Sequence, residues 1–119
     1  MKRLIVIALT AVACAVAGPA DALAPPARMQ VAATEFNLGL SRHTIKAGAA
    51  LIELANYGED LHDLRLRRIG GTKIWGTRVV NPEDTAVLTA KLLPGRYRLW
   101  CSIADHRSLG MTALLTVRR

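Results

Sequence analysis

The sequence predicts an all-β fold, namely an antiparallel β-sandwich of about seven or eight short strands. Apolar and polar residues alternate over short segments, and no long helical period interrupts them. Turn signals such as Gly70-Gly71, Asn81-Pro82 and Pro94-Gly95 separate these segments at short intervals. The 119 residues suffice for a single domain with one core.

The N-terminal residues have the features of an export signal. Lys2 and Arg3 form a short positive segment, the apolar run 4–17 follows, and small residues up to Ala22 offer a cleavage site. The apolar run is too short for a comfortable transmembrane helix, which favours cleavage. The chain is therefore expected to divide into a signal peptide at residues 1–22, an extended lead-in at residues 23–28 and a domain at residues 29–119.

Cleavage after Ala22 changes the cysteine count and the charge. The mature chain keeps 14 basic and 8 acidic residues, a net charge of +6, and Cys101 is its only cysteine. A lone cysteine in an exported protein is a free thiol, an intermolecular partner or a ligand. Lipid attachment at Cys14 is an alternative to simple cleavage, but Ala11 is a poor residue three places before a lipidated cysteine.

The expected strands are short runs of alternating or apolar residues between turns. Leu64 and Leu66 lie on one face of such a run and Arg65 and Arg67 on the other, which is typical of a half-buried strand. The run at 73–80 has the weakest pattern, and we expect either a strand or an irregular crossing segment there. In chain order, the expected strands span residues 29–36, 43–46, 50–56, 61–68, 73–80, 85–93, 97–101 and 111–117.

Residue types that bind metals are concentrated near the C-terminus. Cys101 ends the penultimate strand, and His106 and Met111 follow on the next loop, with four residues in each gap. A cysteine sulfur, histidine nitrogens and a weak axial methionine are the ligands of a blue-copper electron-transfer site. His62, near the start of an earlier strand, can supply the second imidazole, because strand ends from distant parts of a sandwich meet at one pole. The sequence therefore predicts copper bound by His62, Cys101, His106 and Met111.

Each of these residues has a simpler interpretation when it is taken alone. Met111 could fill the core, Cys101 could be a buried apolar residue, and His62 could lie on the surface at a strand end. His43 has no ligand neighbour, and we assign it to the surface. Zinc is the rival metal, but it prefers four strong ligands and rarely uses methionine. The combination of all four residue types with a single cysteine favours copper.

Three segments of the chain resemble the cupredoxins, the type 1 blue-copper proteins. The loop spacing is most similar to that of rusticyanin-like and auracyanin-like members, since plastocyanin has a shorter gap between its cysteine and histidine. The resemblance covers residues 31–117. The segments that carry it are Asn56-Tyr57-Gly58 with His62, the run Leu93-Pro94-Gly95-Arg96-Tyr97, and the loop with Cys101, His106 and Met111.

The resemblance implies a Greek-key β-sandwich that binds one copper ion, which cycles between Cu(II) and Cu(I). It places this copper-binding domain at residues 29–119. It also implies that His106 is the solvent-facing edge through which electrons pass. The apolar residues around that edge would be Ile103, Ala104, Leu109 and Gly110.

Two aspartates depart from the family pattern. Members often have Asn or Ser after the first histidine, donating a hydrogen bond near the thiolate, whereas an ionised Asp63 cannot donate one. The hypothesis is that Asp63 adds negative charge near the metal and lowers the reduction potential, unless it faces away and pairs with an arginine. Asp105 stands where long loops of the family commonly have glycine, and it either shapes the loop or is a solvated turn residue.

These observations predict an exported protein, periplasmic or extracellular, that transfers single electrons between redox partners and is not an enzyme. The alternative is a protein for copper storage or delivery. Delivery proteins often have sites rich in methionine or histidine, and the mature chain has only Met29 and Met111. The motif therefore favours an electron carrier.

The positive charge bears on the partners of the protein. Its many arginines leave open a solvated basic face, redox proteins with an acidic docking surface, and peripheral contact with an anionic membrane. Arg107 beside His106 favours the acidic docking surface. Nucleic acid is not expected, because the chain is predicted to be exported and has five aromatic residues and no basic helix. We predict a monomer.

Overall fold

The computed structural model describes residues 5, 7–15 and 24–119. The cleavage position that the sequence predicts, after Ala22, lies outside the described residues. No helix in the part of the chain that is described is long and apolar enough to cross a membrane. In chain order, the strands are β1 (Ala27–Thr34), β2 (Asn37–Leu40), β3 (Thr44–Lys46), β4 (Gly48–Asn56), β5 (Arg65–Arg68), β6 (Ile74–Gly76), β7 (Thr85–Leu92), β8 (Gly95–Trp100) and β9 (Thr112–Arg118).

The strands form two sheets that enclose one core. The four-stranded sheet has the order β2-β1-β4-β7, and the five-stranded sheet has the order β3-β9-β8-β5-β6. The predicted all-β sandwich is therefore confirmed. The expectation of purely antiparallel pairing is wrong, because β1 runs parallel to β4 and β3 runs parallel to β9. Alternating residues indicate which face of a strand is buried, but strand direction depends on where the chain crosses between the sheets.

The strand bounds differ from expectation in three places. β2 is an additional strand that pairs with β1 across a tight turn. The segment expected at 73–80 is a strand only over Ile74–Gly76, and the segment expected at 61–68 only over Arg65–Arg68. Outside Arg65–Arg68 and Ile74–Gly76, these two segments exchange only isolated hydrogen bonds. Regular pairing between β5 and β6 is therefore limited to three residue pairs.

The core follows the predicted alternation. Leu64 and Leu66 are fully buried, whereas Arg67 is exposed, which confirms the predicted faces of this segment. On β7, Leu88 is buried and its neighbour Val87 is 57% exposed. Removal of apolar surface from water on both inner faces is the main stabilising contribution, at about 25 cal/mol per Å². Further fully buried side chains from β1, β4, β8 and β9 are Val31, Ile52, Leu54, Tyr97, Leu99 and Leu115.

A buried amide organises the pole of the sandwich at which β4 and β8 end. The Nδ2 of Asn56 donates hydrogen bonds to the carbonyl oxygens of Asp60, at 2.8 Å, and Val80, at 3.0 Å. Its Oδ1 accepts a hydrogen bond from the backbone N–H of Gly58 at 2.9 Å. Val80 in turn exchanges both backbone hydrogen bonds with His62. The side chain of Asn56 therefore fixes the path of the loop that leads to His62.

Tyr97 connects the core to the turn before β8. Its hydroxyl donates a hydrogen bond of 2.8 Å to the carbonyl oxygen of Leu93, and the residue is 1% exposed. We expect Tyr97→Phe to lower the free energy of unfolding by about 1–2 kcal/mol near neutral pH, because the Leu93 carbonyl loses its partner. Unfolding by urea, with an unchanged denaturant slope, would measure this loss.

The pH dependence of stability provides a second test of this contact. Burial raises the pKa of Tyr97 above its usual value of 10.0. The contribution to stability is therefore fully present below pH 10.0 and is lost as the pH rises through the folded pKa. Tyr97→Phe should make the alkaline loss of stability less steep, whereas Tyr57→Phe, at a residue 66% exposed, should not. Equal behaviour of the two variants would contradict this assignment.

Candidate metal centre

Three of the four predicted ligands meet at this pole of the sandwich. His62 precedes β5, Cys101 directly follows β8, and His106 lies in the loop between β8 and β9. Their donor atoms all lie within 4.8 Å of one another, and the three residues are 0%, 0% and 6% exposed. The Sγ of Cys101 lies 3.9 Å from Nδ1 of His62 and 3.7 Å from Nδ1 of His106. Both imidazoles therefore turn the same ring nitrogen toward the sulfur.

These distances fit a metal ion held between the three donors. Bonds of about 2.0 Å to nitrogen and about 2.3 Å to sulfur place the two ligand atoms about 3.5 Å apart at a tetrahedral angle. A trigonal angle of about 120° places them about 3.7–3.8 Å apart. The observed separations of 3.7 and 3.9 Å leave room for a metal ion between the sulfur and each nitrogen. Trigonal His₂Cys coordination is typical of blue copper, whereas structural zinc is tetrahedral.

Met111 completes the set of residues at the site. It is 0% exposed and belongs to the core. Its carbonyl oxygen accepts a hydrogen bond of 3.1 Å from the N–H of Cys101, and its N–H donates one of 3.1 Å to the carbonyl oxygen of His106. The residue is thus tied through the backbone to two of the other ligands. His62, Cys101, His106 and Met111 are arranged as a type 1 copper site.

The loop that carries these residues is held by its own backbone. The N–H of His106 donates to the carbonyl oxygen of Ile103 at 3.0 Å, and the N–H of Gly110 donates to that of Arg107 at 3.2 Å. Gly110 has a φ of +123°, and a Cβ there would lie 3.0 Å from the carbonyl oxygen of Phe36. A side chain at this position would be strained and would press on the β1–β2 turn. The backbone hydrogen bonds and the close approach at Gly110 therefore set the geometry of this loop.

Glu35, in the turn after β1, determines which nitrogen of His62 is free. The Nε2 of His62 lies 2.9 Å from Oε1 of Glu35. The backbone N–H groups of Glu59 and Asp60 also donate to this carboxylate, at 2.8–3.1 Å. These hydrogen bonds, above all that from Asp60, lower the pKa of Glu35 to about 2, so it is ionised and can only accept. The His62 proton must then be on Nε2, which leaves Nδ1 to bind a metal.

His106 is more enclosed than the resemblance implies. The ring of Phe36 lies with its centroid 5.1 Å from that of His106, and Oδ2 of Asp60 lies 3.4 Å from Nε2 of His106. These two neighbours reduce the exposure of His106 to 6%, although Leu109 in the same loop is 49% exposed. Both histidine ligands therefore have a carboxylate at Nε2.

Asp63 faces an arginine and a serine. Its carboxylate accepts hydrogen bonds from the backbone N–H of Ser102, at 2.6 Å, and from the hydroxyl of Ser102. The Nη2 of Arg65 lies 3.3 Å from its Oδ2, and Asp63 is 1% exposed. The structure thus has the arginine pairing that the sequence left open as the alternative. Asp63 does not face away from the site, however, because its carboxylate also helps to raise the pKa of the Cys101 thiol. The hypothesis that Asp63 lowers the reduction potential therefore stays a prediction.

Burial also acts on the thiol of Cys101. Desolvation raises the pKa of Cys101 above its usual value, although the backbone amides of Asp63 and Ile103 act in the opposite direction. The free protein therefore holds the thiol protonated near neutral pH. A metal ion that binds the sulfur must displace this proton, so binding becomes tighter as the pH rises.

Spacing and residue type indicate the four candidate ligands but not the residues around them. Glu35 and Phe36 come from a turn distant in the sequence from His62, and no local pattern relates an acidic residue in a turn to a ligand. A search for acidic residues able to pair with each predicted histidine could have named Glu35 as one of several candidates. His43 is exposed and is not part of the cluster, as predicted.

Solved structures of copper proteins are similar to this chain over most of its length. Auracyanin A, a "blue" copper protein from the green thermophilic photosynthetic bacterium Chloroflexus aurantiacus, is 16% identical with a TM-score of 0.65, covering 79% of this chain and 100% of its own. An azurin (Az-iso2) from Methylomonas sp. strain J is 12% identical with a TM-score of 0.61, covering 77% of this chain and 98% of its own. The chain has the cupredoxin fold.

The cupredoxin fold also occurs within larger proteins. A multicopper oxidase is 17% identical with a TM-score of 0.59, and the match covers 79% of this chain but 45% of the oxidase. No protein-family model and no curated protein matches the sequence. Because likeness at such low identity describes the fold alone, the assignment of the site depends on the geometry of its own side chains.

Proposed function

We propose that this protein is an exported type 1 copper protein that carries single electrons between redox partners. The observation that carries the proposal is the buried cluster of His62 Nδ1, Cys101 Sγ and His106 Nδ1, with separations of 3.7 and 3.9 Å from sulfur to nitrogen. Thiolate and thioether ligands favour Cu(I), and imidazole suits both oxidation states. Copper in this site would exchange one electron at a time without a substrate.

The residues of the site support transfer with little rearrangement. Glu35 accepts a hydrogen bond from Nε2 of His62, and Asp60 lies 3.4 Å from Nε2 of His106. The backbone of Met111 forms hydrogen bonds with Cys101 and His106. Because these contacts are made by the chain itself, the ligands need not move far when copper binds or changes its charge. A small change of geometry on electron transfer is what a carrier requires.

Transfer between proteins, rather than catalysis on a small molecule, agrees with the donor set. His62, Cys101, His106 and Met111 would occupy the positions around copper, which leaves no open position for a substrate. The predicted signal peptide at residues 1–22 supports export, and the mature net charge of +6 supports partners with acidic surfaces. We expect brief encounters that slow as salt rises.

The test is the visible absorption spectrum of the protein with one equivalent of Cu(II), compared with Cys101→Ser. We expect an intense thiolate-to-copper band in the wild type and its complete loss in the variant, because only a coordinated thiolate gives it. A weak band that is the same in both proteins would show that Cys101 is not a ligand and would overturn the proposal. In a metal competition, zinc added to the copper-loaded protein should displace copper less readily than copper added to the zinc-loaded protein displaces zinc.

A redox titration separates electron transfer from copper storage or delivery. A carrier should be reduced and reoxidised repeatedly with the band fully restored each time and the copper retained in the presence of a Cu(I) chelator. Loss of copper to the chelator at the first reduction would instead support delivery. The same cycles of reduction and reoxidation with Cys101→Ser show how copper behaves when it is bound without the thiolate.

A further inference from the structure

The five-stranded sheet has an unusual distribution of charge. Its strands contain six arginines and one lysine but no aspartate or glutamate. Leu66, Tyr97 and Leu115 face the core, so the alternate positions of β5, β8 and β9 face outward. The arginine face consists of the outward-facing arginines together with the one that follows in the metal-site loop, namely Arg65, Arg67, Arg96, Arg98, Arg107 and Arg118.

Most of this positive charge has no carboxylate partner in the part of the chain that the structure describes. Among residues 24–119, Arg65 is the one member of the arginine face within ion-pair distance of a carboxylate, that of Asp63 at 3.3 Å. Arg67 and Arg98 stand directly opposite each other in the register of β5 and β8. Like charges at directly opposite positions destabilise a sheet. No ion pair within residues 24–119 offsets the repulsion between these two arginines.

The other sheet does not share this property. Its four strands contain two basic residues, Arg28 and Lys91, and one acidic residue, Glu53. The excess of positive charge is thus concentrated on one side of the sandwich. A protein that needed charge only for solubility would have no reason to gather it on one sheet.

The arginine face adjoins the metal centre. Trp100, the residue before Cys101, lies beneath it, with the guanidinium carbons of Arg107 and Arg67 at 4.7 and 5.9 Å from its ring. Arg65 contacts Asp63, which follows the ligand His62. Molecules bound to this face would therefore sit beside the site, separated from the sulfur by a single residue.

We propose that the arginine face is the docking surface for the acidic surface of a redox protein. Guanidinium groups match carboxylates in planar, paired hydrogen bonds, and the carboxylates would relieve the repulsion between Arg67 and Arg98. The face crosses three strands about 4.8 Å apart, a size that suits the small interfaces of transient redox encounters. A lipid bilayer has no electron to exchange, so nearness to the metal centre favours a protein. The inference rests on the proposed electron-transfer function.

The experiment measures binding of the copper-loaded protein to poly-L-glutamate at low salt. We expect the double variant Arg67→Glu, Arg98→Glu to lose affinity by about tenfold or more, because like charges then meet at the centre of the contact. The matched control, Arg28→Glu with Lys91→Glu, makes the same change in net charge on the other sheet and should change affinity far less. Equal losses in the two variants would show that only net charge matters and would overturn the proposal.

Two further measurements address repulsion within the sheet and binding to a bilayer. The variant Arg67→Gln, Arg98→Gln removes the repulsion without introducing acids, so it should be at least as stable as the wild type and still bind poly-L-glutamate weakly. Vesicles of phosphatidylcholine with phosphatidylglycerol test the bilayer. Wild-type binding to these vesicles through the same two arginines, without binding to poly-L-glutamate, would contradict the proposal.

The test of the arginine face and the test of the proposed function can fail independently of each other. Binding to poly-L-glutamate needs no copper and can be repeated with the metal-free protein. If the visible band is present and both double variants bind alike, the docking surface is wrong while the electron carrier stands. If the band is missing and only Arg67→Glu with Arg98→Glu loses binding, the arginine face docks acidic proteins but not for copper-based electron transfer.

Discussion

Replacement of Glu35 by glutamine is expected to weaken Cu(II) binding by roughly 10–100-fold, the usual effect of losing an outer partner of a metal-binding histidine. The Glu35 carboxylate accepts the proton of His62 Nε2 at 2.9 Å. Glutamine can still accept this hydrogen bond but has no negative charge. Competition with a chelator of known affinity would measure the change for Cu(II) and, under reducing conditions, for Cu(I).

The two oxidation states should respond differently to this substitution. A carboxylate on the outer nitrogen of His62 stabilises the more highly charged Cu(II) protein more than the Cu(I) protein. Loss of the charge in Glu35→Gln should therefore raise the reduction potential. The intensity of the visible band should be retained, because Cys101 is untouched. Asp63→Asn should also raise the potential, because the Asp63 carboxylate acts on the Cys101 thiol even with Arg65 at 3.3 Å.

A neighbouring glutamate provides the matched control. Glu59 is exposed, and its backbone N–H, not its side chain, contacts Glu35. Glu59→Gln removes the same charge, from the loop that leads to His62, without a side-chain contact to His62, so we expect little change in Cu(II) affinity. If both variants lost affinity equally, the effect would come from the general field of the loop, and the role of Glu35 in positioning His62 would be refuted.

Truncation of Leu99 is expected to have the largest effect on stability. Leu99 is 0% exposed and lies on the inner face of β8, between the metal centre and the opposite pole. Leu99→Ala removes buried carbon atoms and leaves a cavity that the two sheets cannot fully close. We expect the free energy of unfolding to fall by about 3–5 kcal/mol. Urea denaturation of the metal-free protein measures this without a contribution from bound copper.

The same sheet offers a control for this prediction. Leu114, on β9 beside β8, is 40% exposed on the outer face. Leu114→Ala makes the identical chemical change where water already reaches the side chain, so the expected loss is below about 1 kcal/mol. A loss at Leu114 as large as that at Leu99 would mean that the outer face is buried in solution, for instance against another copy of the chain.

The faces of the strands could be predicted from the sequence because burial of one side of a sheet imposes a period of two. Leu64 and Leu66 against Arg65 and Arg67 is an example, and all four lie as predicted. The parallel pairing of β1 with β4 could not be predicted. Pairing between strands so distant in the sequence depends on the energies of whole sheets and not on any local pattern. The short strand β2 was missed for a different reason: it pairs with β1 across a tight turn at residues 35–36, which were expected to belong to the first strand.

The candidate ligands could be proposed from the sequence because their chemistry is rare and partly local. Cys101, His106 and Met111 lie on one loop, and His62 was the remaining histidine with a suitable position at a strand end. The carboxylate partners of the two histidines were not predictable. Glu35 reaches His62 only because the β1–β2 turn folds over the end of β4, and a surface glutamate is common in any sequence.

The amino-acid sequence by itself therefore determined the all-β class, the buried faces and the set of candidate ligands, since each depends on residue type and short-range spacing. Only the tertiary structure decided the strand directions, the enclosure of His106 by Phe36 and Asp60, and the pairing of Asp63 with Arg65. It also decided that the arginines of three strands lie together on one face beside Trp100. These features arise from contacts between distant segments, whose formation depends on the packing of the whole sandwich.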